Sequence, residues 1–317
     1  MSKKLLVVFG STGQQGSSVI SHVLSTPSLS SQFSIRAITR DVSKPSAISL
    51  QSQGVGLVQA DLDDPQSIAL AVKGAHTVFA FTATIIAPAE VAYQKEYTQG
   101  KTIADAAVAA GAKYLIWSSS TSVKKVSGGK LTNVFPFDVK ADVETYIRTL
   151  PIPSAFFTPP SFMQNLHGPG VLAVRPLGDG TCGIVNIATP ETLIPLVDPA
   201  SDSGKFVGAI LADQDKYAGK VFVSAARLYS MKEIVDTVSK VSGKEVRYVQ
   251  IEEEAFRANL PEPLKDRLTE MMAFFRDFGY YGSDTREMME WTVEQVGGSE
   301  GLTSLEEFLV RCPLKLE

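Results

Sequence analysis

Leu5-Leu6-Val7-Val8-Phe9-Gly10-Ser11-Thr12-Gly13-Gln14-Gln15-Gly16 runs from a short apolar stretch straight into a G-x-x-G-x-x-G loop. Leu5–Phe9 reads as a buried strand, and Gln14–Ser25 as a helix with Val19, Ile20, Val23 and Leu24 on its apolar face. In such a strand–loop–helix unit the first glycine permits the tight turn, and the second lets backbone approach a pyrophosphate. The third lets the helix pack against the strand. Phosphates then face the unpaired N–H groups and the positive dipole end of the helix. A glycine triplet alone is a weak signal; placed between strand and helix at the head of a βα series, it marks a dinucleotide site. Gly10, Thr12, Gly13, Gln14, Gln15 and Gly16 are the expected phosphate-side contacts.

Outward from this loop, β-branched runs alternate with helical patterns. Strands are expected at Ser34–Thr39, Val55–Gln59, Thr77–Phe81, Tyr114–Trp117 and Ser154–Phe157. Helices are expected at Pro65–Val72, Ala89–Ala110 (stopped by Gly111) and Val139–Leu150. This alternation implies right-handed βαβ crossovers and a parallel sheet, and continuous apolar strands suit a sheet covered on both faces. The expected class is α/β, with a doubly wound parallel-sheet Rossmann domain over residues 1–158. A smaller α+β C-terminal substrate or partner domain would occupy 159–317. Between Thr158 and Gly183 frequent prolines and glycines loosen the pattern. Lys220–Ala225 reads as a strand returning to the first sheet, and Ser230–Val241 as an amphipathic helix. Phe256, Leu260, Leu264, Leu268, Met271, Met272 and Phe275 recur at helical spacing within Glu252–Asp277, a core stripe.

The second strand ends at Thr39-Arg40-Asp41, with Lys44 a short loop further on. An NAD site places a carboxylate at this tip to accept from the ribose hydroxyls. A guanidinium there grips the 2′-phosphate of NADP instead, through paired charge-assisted bonds. Two such contacts at about 1.5 kcal/mol each favour NADP roughly a hundredfold. Arg40 and Lys44 point to NADP(H); Asp41, one residue away, is the competing signal. After the third strand Asp61 and Leu62 are placed to meet the adenine, with Asp64 the better cap for the next helix. Phe81, Thr82 and Ala83 close the fourth strand and are expected to line the nucleotide ribose.

Composition narrows the function classes. Thirty Lys and Arg against 34 Asp and Glu give a net charge of −4, so no basic field exists to hold nucleic acid directly. The two cysteines, Cys182 and Cys312, have neither disulfide-framework nor metal-ligand spacing, and no metal is expected. Cys182 has no basic neighbour in sequence to activate it. Five apolar residues before Gly10 are too few for a signal-peptide core, and no apolar run reaches the length of a membrane span. A cytoplasmic protein without membrane contact is expected.

Several motifs in order resemble the NmrA-like family, an atypical branch of the short-chain dehydrogenases. They are Val8–Gly16, Thr39-Arg40, Gln99-Gly100-Lys101, Phe137-Asp138-Val139-Lys140, the run Pro160-Ser161-Phe162-Met163-Gln164-Asn165-Leu166, and the closing Leu302–Leu309. The resemblance implies an NADP-binding Rossmann domain and a smaller C-terminal domain that closes over the nicotinamide. It also implies one of two behaviours. Some members are sensors that bind NADP(H) and regulate a protein partner; others reduce small molecules.

Short-chain dehydrogenases use a Tyr-x-x-x-Lys pair, the lysine lowering the tyrosine pKa and the tyrosine passing a proton to substrate. Here Lys140 stands at the lysine position, but Pro136 stands four residues before it. Lys140 is expected to hold the nicotinamide ribose or to serve as the acid itself. Ser118-Ser119-Ser120 end the fifth strand, where ligands sit in open α/β sheets. Ser118 is assigned to the cofactor and Ser120 to the substrate side. Substitute proton donors are Tyr93, Tyr97 and His167, while His22 and His76 read as structural. Pro160, Phe162 and Asn165, with Met163, are expected to wall the nicotinamide. Phe156, Phe157, Phe162, Phe274, Phe275, Tyr280 and Tyr281 suit an apolar or aromatic small-molecule substrate. Three functions compete: an NADPH-dependent reductase of a carbonyl, enone or imine; a non-catalytic redox sensor with a regulatory protein partner; and an isomerase or lyase using the cofactor as scaffold.

Overall fold

The apolar run that opens the chain forms β1 (Lys4–Val8), and the residues after the glycine loop form α1 (Gln14–Ser25). Five further strands follow in the same sheet: β2 (Phe33–Thr39), β3 (Gly56–Gln59), β4 (Thr77–Ala80), β5 (Tyr114–Ser118) and β6 (Ser154–Thr158). In this computed structural model, which describes residues 2–316, their order is β3-β2-β1-β4-β5-β6, and Val221–Val223 adds the seventh strand beside β6. β1 to β6 pair in parallel throughout. Strand order reverses between β1 and β4, the switch point at which doubly wound sheets open a crevice for ligands.

Alternate side chains of these strands serve opposite faces. On one face Val7, Phe9, Leu115, Trp117 and Phe156 are buried in one cluster with Ile68 and Val72, Ile103 and Ala107, and Val143 and Ile147. Those residues belong to the helices Pro65–Val72, Ala89–Ala109 and Phe135–Ile147. On the other face lie α1 and the helix Pro199–Ala212, whose Phe206 ring centroid is 6.5 Å from that of Phe157. The sheet is covered on both sides, as its unbroken apolar strands require.

The chain divides into two units. One takes the chain up to Ser120, then Val139–Thr158 and Pro199–Phe222; the other takes Thr121–Asp138, Pro159–Asp198 and everything from Val223. The division departs from a single cut at 158. Pro199–Ala212 in particular has no counterpart in the sequence pattern. Its Gly204 and Gly208 argue against a helix by propensity, and packing on α1 overrides that. A Cβ on Gly204 would stand 2.3 Å from the Ser18 carbonyl oxygen, and the Gly204 N–H bonds the Ser18 hydroxyl at 2.9 Å. The close approach exists only because position 204 carries no side chain. Gly204→Val is expected to cost about 3 kcal/mol and to lower the thermal midpoint by roughly 5–10 °C, read by circular dichroism. An unchanged midpoint would show that the two helices tolerate separation.

The second unit contains two three-stranded sheets. In one, Leu193–Val197 lies between Ser161–Phe162 and Leu228–Ser230; in the other, Cys182–Asn186 lies between Arg175–Pro176 and Val246–Gln250. Met231–Ser242 carries a capping box from Ser230 and Glu233 and closes on Gly243 at φ 69°. The stripe expected over Glu252–Asp277 is interrupted. Helices Glu253–Ala258 and Lys265–Phe278 flank a break at Pro261 and Pro263, since proline cannot continue an α-helix. Phe256, Met272 and Phe275 are buried as core; Leu260, Leu264, Leu268 and Met271 are only half-buried. Among the described residues no helix is long and apolar enough to cross a membrane, and no cluster of His, Cys, Asp or Glu is arranged to hold a metal.

Candidate cofactor and active site

Backbone geometry first explains the glycine loop. Gly10 adopts φ 59°, a left-handed conformation, and a Cβ there would stand 2.3 Å from the Phe81 ring. A Cβ on Gly16 would stand 2.3 Å from the Gly10 carbonyl oxygen, which is backbone and cannot swing aside. The buried Ser11 hydroxyl donates to the Ile38 carbonyl at 2.8 Å and ties the loop to the end of β2. Gly13 is the N-cap of α1 and supplies no side-chain cap, while Thr12, Gly13 and Gln14 are exposed. The loop is an open cradle at an uncapped helix N-terminus, the geometry that a pyrophosphate requires.

At the tip of β2, Arg40 and Lys44 are both exposed, and Lys44 is the cap residue of helix Pro45–Ser52. Asp41 is committed elsewhere. Its carboxylate accepts from the Ser43 hydroxyl at 2.6 Å and the Ser43 N–H at 2.9 Å, bonds that hold it below the usual carboxylate range. The competing signal for an NAD-type tip is thus taken up by the turn. After β3 the exposed Asp61 accepts from the Asp63 N–H at 3.0 Å, and Leu62 is half-buried against the core. Asp64 caps the following helix through Gln66 N–H, also at 3.0 Å.

The ends of β4 and β5 hold the chemistry. Phe81 lies against Gly10, Ala83 is exposed, and Thr82 is buried with its hydroxyl turned inward, donating to Glu96 at 2.8 Å. Ser118 is also engaged within the protein, donating to the Gln15 side-chain oxygen at 2.8 Å. Ser120 is half-buried. Lys140 is fixed from behind by its own carbonyl, which accepts from the Trp117 indole N–H at 3.1 Å and the Ser119 hydroxyl at 3.4 Å. Its ammonium forms an ion pair with Glu96. The helix carrying Lys140 begins at Phe135, a turn earlier than its sequence pattern suggests, with Pro136 in the first turn where a missing N–H costs nothing. The position of the expected tyrosine is thus filled by a residue that helps start the helix. Tyr93 donates to Asp142 at 2.5 Å, and its ring stacks on Tyr97 with centroids 6.3 Å apart.

Glu96 was not singled out by its sequence. It is wholly buried on the face of helix Ala89–Ala109 that also presents Ala92, Gln99, Gly100 and Ile103. A charged residue falling on a helical stripe made mostly of small and apolar residues is the signal that would have found it.

The second unit holds the remaining candidates. Pro160 is buried, Phe162 half-buried in its short strand, Met163 buried, and Asn165 exposed in the short 3-10 turn Met163–Leu166. His167 follows that turn, edge-on to Phe308 at 5.7 Å, and partial burial lowers its pKa against the opposing Cys312 carbonyl. Most of the aromatic residues expected to face a substrate are core instead. Phe275 stacks on Tyr280 at 4.5 Å, Tyr281 packs edge-on to Tyr280, and Phe274 is buried beside them. In the first unit Phe156 and Phe157 are buried within β6.

Comparison with known proteins accords with this arrangement. The family model described as the NmrA-like family matches residues 2–309. The chain belongs to the NmrA-like family. Among curated relatives, the NmrA-like family domain-containing oxidoreductase FrzB of Cladobotryum sp. is 30% identical over 258 residues, 77% of this chain and 75% of that one. The oxidoreductase ptmS of Penicillium ochrochloron is 28% identical over 263 residues, 78% of this chain and 76% of that one. Among solved structures, Nmra, a negative transcriptional regulator in complex with NAD, shares 22% identity at a TM-score of 0.81, with 98% of this chain and 96% of that chain covered. The Citrobacter sp. triphenylmethane reductase complexed with NADP(H) shares 22% identity at a TM-score of 0.73, covering 98% and 100%. At these identities the structural likeness establishes the fold. A transcriptional regulator and a reductase thus share one fold, and 98% of this chain is covered by it in each case.

Proposed function

We propose that the chain binds NADP(H) along the glycine loop and the tip of β2, and reduces a small apolar or aromatic carbonyl, enone or imine with NADPH. The observation that carries the cofactor reading is the exposed Arg40 directly after β2, with Asp41 drawn into its own turn by Ser43. Gly10, Thr12, Gly13, Gln14, Gln15 and Gly16 receive the pyrophosphate, and Arg40 and Lys44 the 2′-phosphate. Asp61 and Leu62 lie on the adenine side. The nicotinamide supplies the hydride when bound. Lys140 holds its ribose and presents an ammonium that can donate to a developing oxyanion or to the substrate nitrogen, with Ser120 on the substrate side. The names of the curated relatives, oxidoreductases, support redox chemistry in general.

Arg40→Ala is expected to weaken NADPH by about tenfold or more while leaving NADH nearly unchanged, measured by calorimetric titration. Equal losses for both would defeat the phosphate assignment. Turnover itself is tested by the absorbance of NADPH with purified protein and a panel of aromatic ketones, enones and imines. Substrate-dependent consumption supports a reductase; product formed without net NADPH loss would instead indicate an isomerase or lyase.

A second reading rests on Pro136 at the tyrosine position. On it the chain is a redox sensor for a protein partner, binding oxidised and reduced cofactor with unequal strength, because equal affinities shift nothing. Bound NADPH with no consumption across the panel would favour it.

A further inference from the structure

Glu96 lies wholly buried in the first unit, and one of its carboxylate oxygens accepts from Thr82 at 2.8 Å and pairs with the Lys140 ammonium. Its other oxygen is buried with no hydrogen-bond partner. A buried carboxylate with one bare oxygen is costly to retain, and replacing such a pair by apolar residues is often neutral or stabilising. Packing alone gives no reason to keep it. Its partner does: the Lys140 side chain is 16% exposed against 0% for Glu96, so the lysine is not sealed into the core with the carboxylate it pairs with.

Resting on the NADP(H) reading above, we infer that Glu96 sets the balance between oxidised and reduced cofactor by cancelling the charge of Lys140. The two forms differ by one positive charge on the nicotinamide ring. An uncompensated ammonium beside that ring disfavours the oxidised form and leaves the neutral reduced ring untouched. With Glu96 behind it the pair is neutral overall, and the site accepts either form. Thr82 fixes the carboxylate from the end of β4, and the Trp117 and Ser119 bonds fix the lysine backbone from β5. Glu96 is therefore a positioning and specificity-determining residue. It acts through Lys140 without touching the cofactor.

The test is the ratio of NADP+ to NADPH dissociation constants, measured by calorimetry on the full chain at one ionic strength. Glu96→Gln keeps the shape and an acceptor for Thr82 and Lys140 but removes the charge. It is expected to raise the ratio about tenfold in favour of NADPH. In Glu96→Gln/Lys140→Met both charges are gone, which relieves the buried imbalance, and the ratio returns to within about threefold of wild type. A ratio unmoved in Glu96→Gln, or a shift that persists in the double variant, overturns this inference while the cofactor reading stands. Wild-type protein that binds neither form overturns both.

Discussion

Lys140→Ala is expected to lower NADPH-dependent kcat/KM by about 100-fold or more and to weaken cofactor binding. On the proposed reading the Lys140 ammonium, which has three donors where a hydroxyl has one, holds the ribose and donates to a substrate atom. The same substitution strands the Glu96 carboxylate in the core, and removing one partner of a buried ion pair costs about 3–5 kcal/mol. Loss of fold must therefore be separated from loss of chemistry. Lys140→Ala/Glu96→Gln removes the stranded charge and is expected to restore most of the thermal midpoint without restoring turnover. Activity recovered along with stability would take Lys140 out of the chemistry.

Gly16→Val is expected to abolish NADP(H) binding and to destabilise the first unit by about 3 kcal/mol. Its Cβ would meet the Gly10 carbonyl oxygen at 2.3 Å and the Ser11 Cα at 2.9 Å, both backbone positions. Either α1 moves off the loop or the loop deforms, and both outcomes spoil the uncapped helix end that receives phosphate. Gly13→Ala is the contrasting case. Its nearest neighbour would be the Gly10 carbonyl oxygen at 3.3 Å, so the fold should hold while the added methyl obstructs the approach of a ligand to the loop. Titration with NADPH and thermal melts on the two variants distinguish packing from ligand approach. Full NADPH affinity in Gly16→Val would refute the role given to the loop.

The first unit was largely legible because its signals are local. Each strand of β1 to β6 is a short apolar run, α1 and Pro65–Val72 have clear starts, and the glycine loop carries its own context. Legibility failed where tertiary contacts overrule propensity. Pro199–Ala212 is a helix despite two glycines because those glycines let it lie on α1. The helix expected from Val139 starts at Phe135, because in a first turn the missing N–H of Pro136 is no loss. In the second unit the short strands, such as Ser161–Phe162, lack the length for a period to emerge. The site was half legible for a similar reason. Residue type and place in the chain pointed to Arg40 and Lys140, but the partners that define their states are distant in sequence: Glu96 for Lys140 and Gln15 for Ser118.

The most direct measurement is calorimetric titration of the wild-type protein with NADPH and NADH side by side at fixed ionic strength. NADPH is expected to bind roughly a hundredfold more tightly, through contacts of Arg40 and Lys44 with the 2′-phosphate. Equal affinity for the two, or tighter binding of NADH, would contradict it.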